Sequence, residues 1–497
     1  MSPPKSPSPS PQEVELKLSL PLADPQSLAK QLARVPVLAR RKPTRLTLHN
    51  IYYDTPDQRL RQQRAVLRLR RVGDETAPQW LQTFKSGSSD TSALTRRGEW
   101  ESPLERAELS REALAATPWS DLDADGSLFA ALAPCFVTAF ERTAWLVRRR
   151  DGSVVEVALD LGQIEANGQV APICELELEL KAGQPSALFE IAQEIARTVA
   201  ILPANMSKAQ RGFLLAQDGL HQPHRAQAPR LAKGIPLDSL ARQVLRSAFA
   251  QFSNNLDSLR VSDDPEVVHQ ARVGWRRFKS ALRLFKKSLP QKAPASSEAL
   301  LAFLSGLGEL RNLDVAQSDT LPALASDYVL GDAQRAQHWQ TMSTALARAT
   351  DKQREAVRQA LQQAELGASL LAIVQWLESG LANPQQPPKH KAARPWAKRR
   401  LQRLNKQLLA AQNLANTPEQ WHRVRLLAKR LRYSLEDLQD LLPHKLAKQG
   451  AQQAAALQSR LGNARDIAQV SALVAKLGCE FCLAEFLRGV AVGAAQP

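Results

Sequence analysis

Two stretches, EVELKL at Glu13–Leu18 and CELELELK at Cys174–Lys181, determine the fold of the first half of this chain. In both, charged residues occupy every second position and apolar residues lie between them. Successive side chains of a β-strand point to opposite faces, so each stretch predicts a strand with one charged and one apolar face. A single strand of this kind usually turns its charges to solvent. The recurrence of the pattern argues against that ordinary interpretation here.

Further segments repeat the alternation, and they sort into basic strands and acidic strands. The aligned charges are Arg68 and Arg70 in LRLRR, Lys85 in TFKSG, Arg97, Glu99 and Glu101 in RRGEWES, Glu156 and Asp160 in VEVALD, and Glu175, Glu177, Glu179 and Lys181 in the last segment. Period-two runs near 12–20, 45–54, 64–72, 79–86, 95–102, 140–149, 153–160 and 172–181 predict a β domain. A closed antiparallel barrel with charged inward positions encloses a polar lumen.

Acids and bases have different chemical uses in such a lumen. Carboxylates without His or Cys are hard oxygen ligands, which suit Mg²⁺ or Mn²⁺ and not zinc. Arg and Lys side chains bind phosphate oxygens. Together they would hold a metal–polyphosphate complex, and metal-assisted attack of water on a phosphoanhydride follows as the predicted reaction.

These segments, together with IYYDTPDQRLRQQRAVLRLRR, FERTAWLV, VEVALDLGQI and SKAQRG, resemble the CYTH superfamily of triphosphate tunnel metalloenzymes over Gln12–Gly212. The resemblance implies an eight-stranded β-tunnel that hydrolyses triphosphates with a divalent metal, Mg²⁺ or Mn²⁺. It implies metal binding by Glu13, Glu15, Glu175 and Glu177, with Glu179 on the same face. It implies phosphate binding by Lys17, Arg68, Arg70, Lys85, Arg142 and Lys208, and it marks Glu99, Glu101 and Asp160 as further tunnel acids.

Substrates differ within that superfamily: inorganic triphosphate, thiamine triphosphate, RNA 5′-triphosphate ends, or ATP in the class IV adenylate cyclases. Those cyclases typically lack a helical companion domain. The presence of a helical second half in this chain therefore favours the bacterial inorganic triphosphatase branch, with a cyclase-like activity on ATP as an alternative.

The second half differs in charge and in periodicity. Residues 1–220 carry 27 basic and 27 acidic groups, whereas the remaining residues carry 39 and 22, so the whole net charge of +17 lies in the second half. Such a half should attract polyanions. Beyond a Gly- and Pro-containing linker at 219–236, a 3.6-residue periodicity predicts helices, interrupted by NPQQPPKHKAARPW at Asn383–Trp396.

A basic stripe occurs twice among these helices. From His269 the spacing is Arg272 (+3), Arg276 (+7), Arg277 (+8) and Lys279 (+10); from His422 it is Arg425 (+3), Lys429 (+7), Arg430 (+8) and Arg432 (+10). Offsets 0, +3, +7 and +10 fall within roughly 80° of a helix. Each copy is followed by a Leu-Gly pair with an Arg three residues later, Arg311 and Arg465. The duplication predicts two similar helical bundles.

This half resembles the CHAD domain, named for its conserved histidines and α-helices, over about Leu237–Leu487. The resemblance implies binding of inorganic polyphosphate along a basic surface formed by His269, Arg272, Arg276, Arg277, Lys279, His422, Arg425, Lys429, Arg430 and Arg432, with Arg311 and Arg465 as plausible additions. The opposing interpretation is a solvated charged face. Few acids lie four residues from these cations, which makes local pairing a poor explanation of them.

We therefore predict an α+β multidomain protein, with an antiparallel eight-stranded tunnel followed by an all-α domain. The predicted boundaries are a disordered leader at 1–11, a tunnel domain at 12–218, the linker at 219–236 and a helical domain at 237–490, with repeats at about 237–382 and 396–490. The leading function is a metal-dependent inorganic triphosphatase. A non-catalytic polyphosphate-binding adaptor is the second hypothesis.

Several classes are disfavoured by the same sequence. No run approaches the ~18 apolar residues of a membrane span. Nucleic acid is an unlikely partner, because the basic stripes lack interleaved aromatic residues for base stacking. Four cysteines cannot build a disulfide scaffold in a chain of 497 residues, which predicts a cytoplasmic protein, with polyphosphate granules as a site of association. The single CxxC motif at Cys479 and Cys482 receives no zinc or redox assignment.

Overall fold

The computed structural model describes residues 12–21, 24–73, 76–87, 92–232, 234–380, 393–461, 463–478 and 480–495. The predicted leader at 1–11 lies outside these residues, as do Cys479 and the side chain of Arg465. The chain forms two compact units. One comprises Met1–Gln222 and Leu361–Ser379, and the other comprises Pro223–Ala360 and Gly380–Pro497.

The first unit is built on nine strands. They are β1 (Gln12–Ser19), β2 (Thr44–Asp54), β3 (Ala65–Val72), β4 (Gln79–Ser86), β5 (Leu94–Leu104), β6 (Ala133–Arg148), β7 (Val154–Ala166), β8 (Gln169–Ala182) and the two-residue β9 (Leu202–Pro203). The order β5-β4-β3-β2-β6-β7-β8-β1 is antiparallel throughout, and pairing of β1 with β5 closes it. The predicted eight-stranded antiparallel barrel is confirmed.

The α-helices among the described residues of both units follow in chain order. They are α1 (Pro25–Leu32), α2 (Arg59–Gln62), α3 (Ser127–Ala130), α4 (Ser186–Ile195), α5 (Lys208–Leu215), α6 (Leu237–Leu259), α7 (Pro265–Phe285), α8 (Glu298–Val315), α9 (Ala325–Val329), α10 (Ala333–Ala360), α11 (Ala364–Gln375), α12 (Ala393–Leu414), α13 (Pro418–Asp437), α14 (His444–Arg460), α15 (Asn463–Lys476) and α16 (Phe481–Ala495). In the described part of the chain, no helix has both the length and the hydropathy that crossing a membrane requires.

Alternation along the strands separates the lumen of the barrel from an apolar layer outside it. On β1 and β8, Leu16, Leu18, Leu176 and Leu178 are fully buried, and α4 packs against both strands. The charged residues between them face the lumen. Burial of apolar side chains on the outer face stabilises the sheet and fixes its register, because a shift by one residue would exchange the two faces.

One helix of the first unit comes from the middle of the helical sequence. Residues 361–379, which the sequence places in the first helical repeat, pack on α4 and β9. A Cβ on Gly367 would lie 2.1 Å from the carbonyl oxygen of Ile201, so only glycine allows this approach. Just beyond α11, the buried carboxylate of Glu378 accepts a hydrogen bond from Ser92 Oγ at 2.7 Å. The packing of α11 on α4 and β9 explains why its sequence contains a long apolar run.

The second unit is helical, as predicted. The two copies of the basic stripe lie on α7 and α13, and each of these helices packs beside the helix that precedes it. An aromatic cluster between α6 and α7 fixes the first pair: the rings of Phe252 and Trp275 lie 5.1 Å apart, and those of Phe249 and Phe278 lie 5.5 Å apart. The apolar face of α7 is thereby buried, and its basic face points the other way.

Candidate functional site

The barrel lumen collects charged side chains from nearly all of its strands. Its lining comprises Glu13, Glu15 and Lys17 of β1, Tyr52 of β2, Arg68 and Arg70 of β3, Lys85 of β4, Arg97 and Glu99 of β5, Phe140 and Arg142 of β6, Glu156 of β7, Glu177 and Glu179 of β8, and Ser207 and Lys208 at the start of α5. The structure therefore brings most of the predicted tunnel residues together in one cavity.

One end of this set is a group of three carboxylates on neighbouring strands. Oxygen atoms of Asp160, Glu175 and Glu177 lie within 4.8 Å of one another. The ammonium group of Lys208 reaches all three: it donates to Asp160 Oδ2 at 2.6 Å, to Glu177 Oε1 at 3.0 Å and to Glu175. Register explains the grouping, because Asp160 is paired with Glu175 across β7 and β8.

Arg142 binds the same group from β6. Its guanidinium donates to both oxygens of Asp160, at 2.8 and 2.7 Å, and also to Glu177. Burial alone would raise the pKa of Glu177, but the charges of Lys208, Arg142 and Lys17 hold that pKa well below its usual range. Glu177 therefore stays ionised at neutral pH although it is buried.

A second acidic group lies on β1. Arg97 Nε donates to Glu13 at 2.6 Å and Lys85 Nζ donates to it at 3.1 Å. Glu15 contacts Lys17 and lies next to Glu177. Burial and the charge of Glu177 raise the pKa of Glu15 to about 7, against the opposite effect of Lys17. Two carboxylates that share a site repel each other when both are ionised, which accounts for the raised pKa of one of them.

The opposite wall of the lumen is mostly basic. Arg70 Nε donates to Asn50 at 2.8 Å and lies 3.7 Å from Glu101, and Arg68 lies 3.5 Å from Glu99. Burial and the charges of Arg68 and Arg142 lower the pKa of Arg70 to about 10. These guanidinium groups are crowded together, and an anion would relieve their repulsion.

The predicted metal ligands do not form one group in this structure. Glu175 and Glu177 lie in one group of carboxylates with Asp160, which the resemblance marks only as a further tunnel acid. Glu15 adjoins Glu177, whereas Glu13 is bound by Arg97 and Lys85.

Some groups in or beside the lumen received no role from the sequence, and four of them contact or adjoin the charged residues described above. Arg97 was found from the alternation, because it shares a strand face with Glu99, but it received no role. Arg211, which lies one helical turn after Lys208 and 3.4 Å from Glu175, could have been found from helical spacing. Asn50 and Tyr52 could not be found in this way, because they are uncharged and the prediction depended on alternating charges.

In the second unit, three residues of the first stripe cluster with an arginine of the next helix. His269, Arg272 and Arg276 of α7 adjoin Arg311 of α8, and a Cβ on Gly308 would lie 2.6 Å from Arg272 Nη1. Burial and the charge of Arg311, with those of Arg276 and Arg272, lower the pKa of His269 to about 4 despite nearby Glu266. Burial and its arginine neighbours lower the pKa of Arg272 to about 10. The cluster is predominantly positive.

The stripe continues along α7 and has a counterpart on α13. Burial and the charges of Arg283, Arg272 and Arg276 lower the pKa of Lys279. On α13, His422 is exposed and Arg425 and Lys429 are half-buried, whereas Arg432 lies 3.5 Å from Glu436. Burial and the charges of Arg283 and Arg400 lower the pKa of Arg430.

Arg277 has a different role from the one predicted. Its side chain is buried, it binds Asp437 of α13, and its Nη1 donates to Gln251 of α6 at 3.0 Å. A buried, paired guanidinium is not available to a polyphosphate chain, so Arg277 does not fit the predicted binding surface. Offset +8 points about 80° away from His269, on the other side from the remaining cations.

A basic cleft in the same unit was not assigned from sequence. Its lining includes Arg283, Lys286, Lys287, Arg399, Arg400 and Arg403, and no carboxylate is among its described residues. The ring of Trp396 stacks on that of Phe285, with centroids 5.1 Å apart, and joins the start of α12 to the end of α7. The positive charge of α12 is visible in the sequence, at Arg399, Arg400 and Arg403. The position of α12 beside the end of α7 is not.

Two parts of the chain match the models of known domain families. Residues 11–213 match the model of the CYTH domain, and residues 243–475 match that of the CHAD domain. An inorganic triphosphatase from Haemophilus influenzae is 35% identical over 190 residues, which are 38% of this chain and 50% of that protein. The chain thus spans about half the length of this curated relative.

Two solved structures are also similar. The CHAD domain of the plant Ricinus communis is 27% identical, with a TM-score of 0.48, over 55% of this chain and 91% of that one. A Hippeastrum protein, described as a putative adenylyl cyclase with a dominant triphosphatase activity, is 17% identical, with a TM-score of 0.28, over 42% of this chain and 96% of that one.

Proposed function

Since this chain consists of a CYTH domain followed by a CHAD domain, we propose that it is a metal-dependent inorganic triphosphatase whose helical half binds polyphosphate. The observation that carries the catalytic part is the lumen itself, in which buried carboxylates and buried cations face one another. The similarity to an inorganic triphosphatase supports the choice of substrate.

Cations and acids of the lumen are paired with each other in this structure, as in the contacts of Lys208, Arg142, Arg97 and Lys85. A triphosphate carries several anionic oxygens, which can replace these carboxylates as partners of the basic groups. Lys17, Arg68, Arg70, Lys85, Arg142 and Lys208 would then bind and orient the phosphate chain. The carboxylates that are released would be able to hold a cation.

The donor set fits a divalent metal. Asp160, Glu175 and Glu177 offer hard oxygen ligands in a compact buried group, with Glu15 beside them, which suits Mg²⁺ or Mn²⁺. When bound, such an ion would offset charge on the phosphate chain and make water a better nucleophile. The chain's own basic groups would stabilise the negative charge that develops on the leaving phosphate.

The polyphosphate proposal for the helical half is supported by cations that are packed against one another. Arg272, Arg276 and Arg311 repel one another around the neutral His269, and a polyanion would remove that repulsion. His422, Arg425, Lys429, Arg430 and Arg432 of α13 and Lys279 of α7 extend the proposed surface. Such a surface could localise the enzyme at polyphosphate in the cytoplasm.

A phosphate-release screen tests the catalytic proposal. The full chain is incubated with triphosphate, ATP, thiamine triphosphate or long polyphosphate, each with Mg²⁺ or Mn²⁺. We expect rapid release of phosphate from triphosphate, and loss of that release when the metal is chelated. Binding of polyphosphate without any phosphate release would instead support the adaptor, and formation of cyclic AMP would support the cyclase.

Polyphosphate binding should depend on pH through His269. The pKa of this imidazole is about 4 without a polyanion, and an adjacent polyanion would raise it. Binding would therefore take up a proton, so the affinity should rise as the pH falls from 7 through the pKa of the bound imidazole, and level off below about 4. Each pKa unit gained corresponds to about tenfold in affinity.

Fluorescence titration with labelled polyphosphate at constant ionic strength measures this effect. His269→Gln should give a weaker dependence on pH between 7 and 5 than the unaltered protein. Identical pH profiles for the two proteins would contradict the placement of His269 against the polyanion.

A further inference from the structure

A thiol, an imidazole and a phenol, none of them assigned to the basic surface, meet in the helical unit. Cys482 is the second residue of α16, and its thiol is exposed. Its Sγ lies 3.6 Å from Nδ1 of His338 on α10 and 3.2 Å from the hydroxyl of Tyr328 on α9. The phenol hydroxyl and Nδ1 of His338 are themselves 3.5 Å apart. The consecutive helices α9 and α10, together with α16 much later in the chain, thus place a nucleophile beside a base and a hydrogen-bond donor.

The surroundings of the phenol hold this geometry in place. The ring of Tyr328 is buried and packs against the rings of Trp339 and Phe486, at 5.9 and 5.3 Å. Its backbone oxygen accepts a hydrogen bond from Arg335 at 3.3 Å. Burial and the contact with Cys482 raise the pKa of Tyr328 to about 12, so the hydroxyl remains protonated at neutral pH and can donate to sulfur.

We propose that Cys482 is a reactive thiol, which forms mixed disulfides with low-molecular-weight disulfides and whose proton is accepted by His338. A thiolate, not a thiol, attacks a disulfide, and it is favoured by an adjacent imidazolium and by a helix N-terminus. Here all of these features coincide: Cys482 lies in the first turn of a 15-residue helix, and an imidazole and a phenol hydroxyl contact its sulfur.

The reaction balances as a thiol–disulfide exchange. In the tautomer that carries its proton on Nε2, His338 accepts the thiol proton at Nδ1, and Tyr328 donates a hydrogen bond to the thiolate. The Sγ of Cys482 then forms a bond to one sulfur of the small disulfide while the S–S bond of that molecule breaks. The departing sulfur leaves as a thiolate and takes up the proton from His338. Cys482 is oxidised and the small disulfide is reduced by the same pair of electrons.

The test uses the full chain with Cys479→Ser, so that the cysteine three residues earlier cannot capture the product. Oxidised glutathione is the probe, and mass spectrometry follows the mass added at each cysteine with time. We expect Cys482 to react faster than the half-buried Cys135 and the buried Cys174. His338→Gln should slow the reaction at Cys482 roughly tenfold, since it removes the base.

Two further variants separate this role from a general disturbance of the fold. Tyr328→Phe keeps the packed ring but removes the hydroxyl, and should also slow the reaction. His221→Gln, at an exposed histidine of the other unit, should leave the rate unchanged. Circular dichroism verifies that each variant is folded. The proposal is overturned if folded His338→Gln reacts at the original rate, or if Cys482 reacts no faster than Cys135.

Discussion

Replacing Glu177 by glutamine should reduce phosphate release from triphosphate by roughly a thousandfold. The change removes one negative charge from the proposed metal site, and it takes away the charged partner of three cations. Glu177 contacts Arg142, accepts from Lys208 at 3.0 Å and lies 4.0 Å from Lys17. No other carboxylate of the lumen is described in contact with all three. Glutamine keeps the size of the side chain, so the loss would report charge and not volume.

Two measurements distinguish this effect from unfolding. Thermal denaturation shows whether the variant is folded, and calorimetric titration with Mn²⁺ shows whether metal affinity is lost along with turnover. Glu141→Gln is a matched control, since Glu141 precedes Arg142 on the same barrel but is exposed. It should leave both turnover and metal affinity unchanged. A folded Glu177→Gln protein with full activity and full Mn²⁺ affinity would contradict the proposed site.

The barrel and most of its lumen could be predicted because the information is local. A strand reverses the direction of its side chains at each residue, so Glu13, Glu15 and Lys17 had to share a face whatever their neighbours were. Repetition of that pattern in basic and acidic segments then favoured a charged interior over a charged surface. The stripe of α7 was predictable for the same reason, with helical instead of strand periodicity.

What could not be predicted depends on contacts between distant parts of the chain. The grouping of Asp160 with Glu175 and Glu177 follows from the register of β7 against β8, which no single segment contains. The placement of α11 in the first unit depends on an approach of Gly367 to Ile201 that its own sequence does not indicate. The loss of Arg277 from the basic surface depends on Asp437, 160 residues later.

The buried ion pair between Arg277 and Asp437 should have a large effect on stability. Arg277→Met should destabilise the helical unit by about 3–5 kcal/mol, because it leaves the carboxylate of Asp437 buried without its partner. Burial already raises the pKa of Asp437, with Arg277 opposing that effect. The double variant Arg277→Met/Asp437→Leu should recover most of the lost stability, since replacing both members of a buried ion pair by apolar groups is often neutral or stabilising.

Urea denaturation of the full chain and polyphosphate titration of each folded variant should then separate two kinds of arginine. Arg272→Met is the counterpart on the same helix: it lies in the cationic cluster, so it should weaken polyphosphate binding and leave stability nearly unchanged. The double variant at 277 and 437 should recover most of the stability and bind polyphosphate normally. If it folds as stably as the original protein but binds polyphosphate as weakly as Arg272→Met, then Arg277 contacts the polyanion and its assignment as a structural residue is wrong.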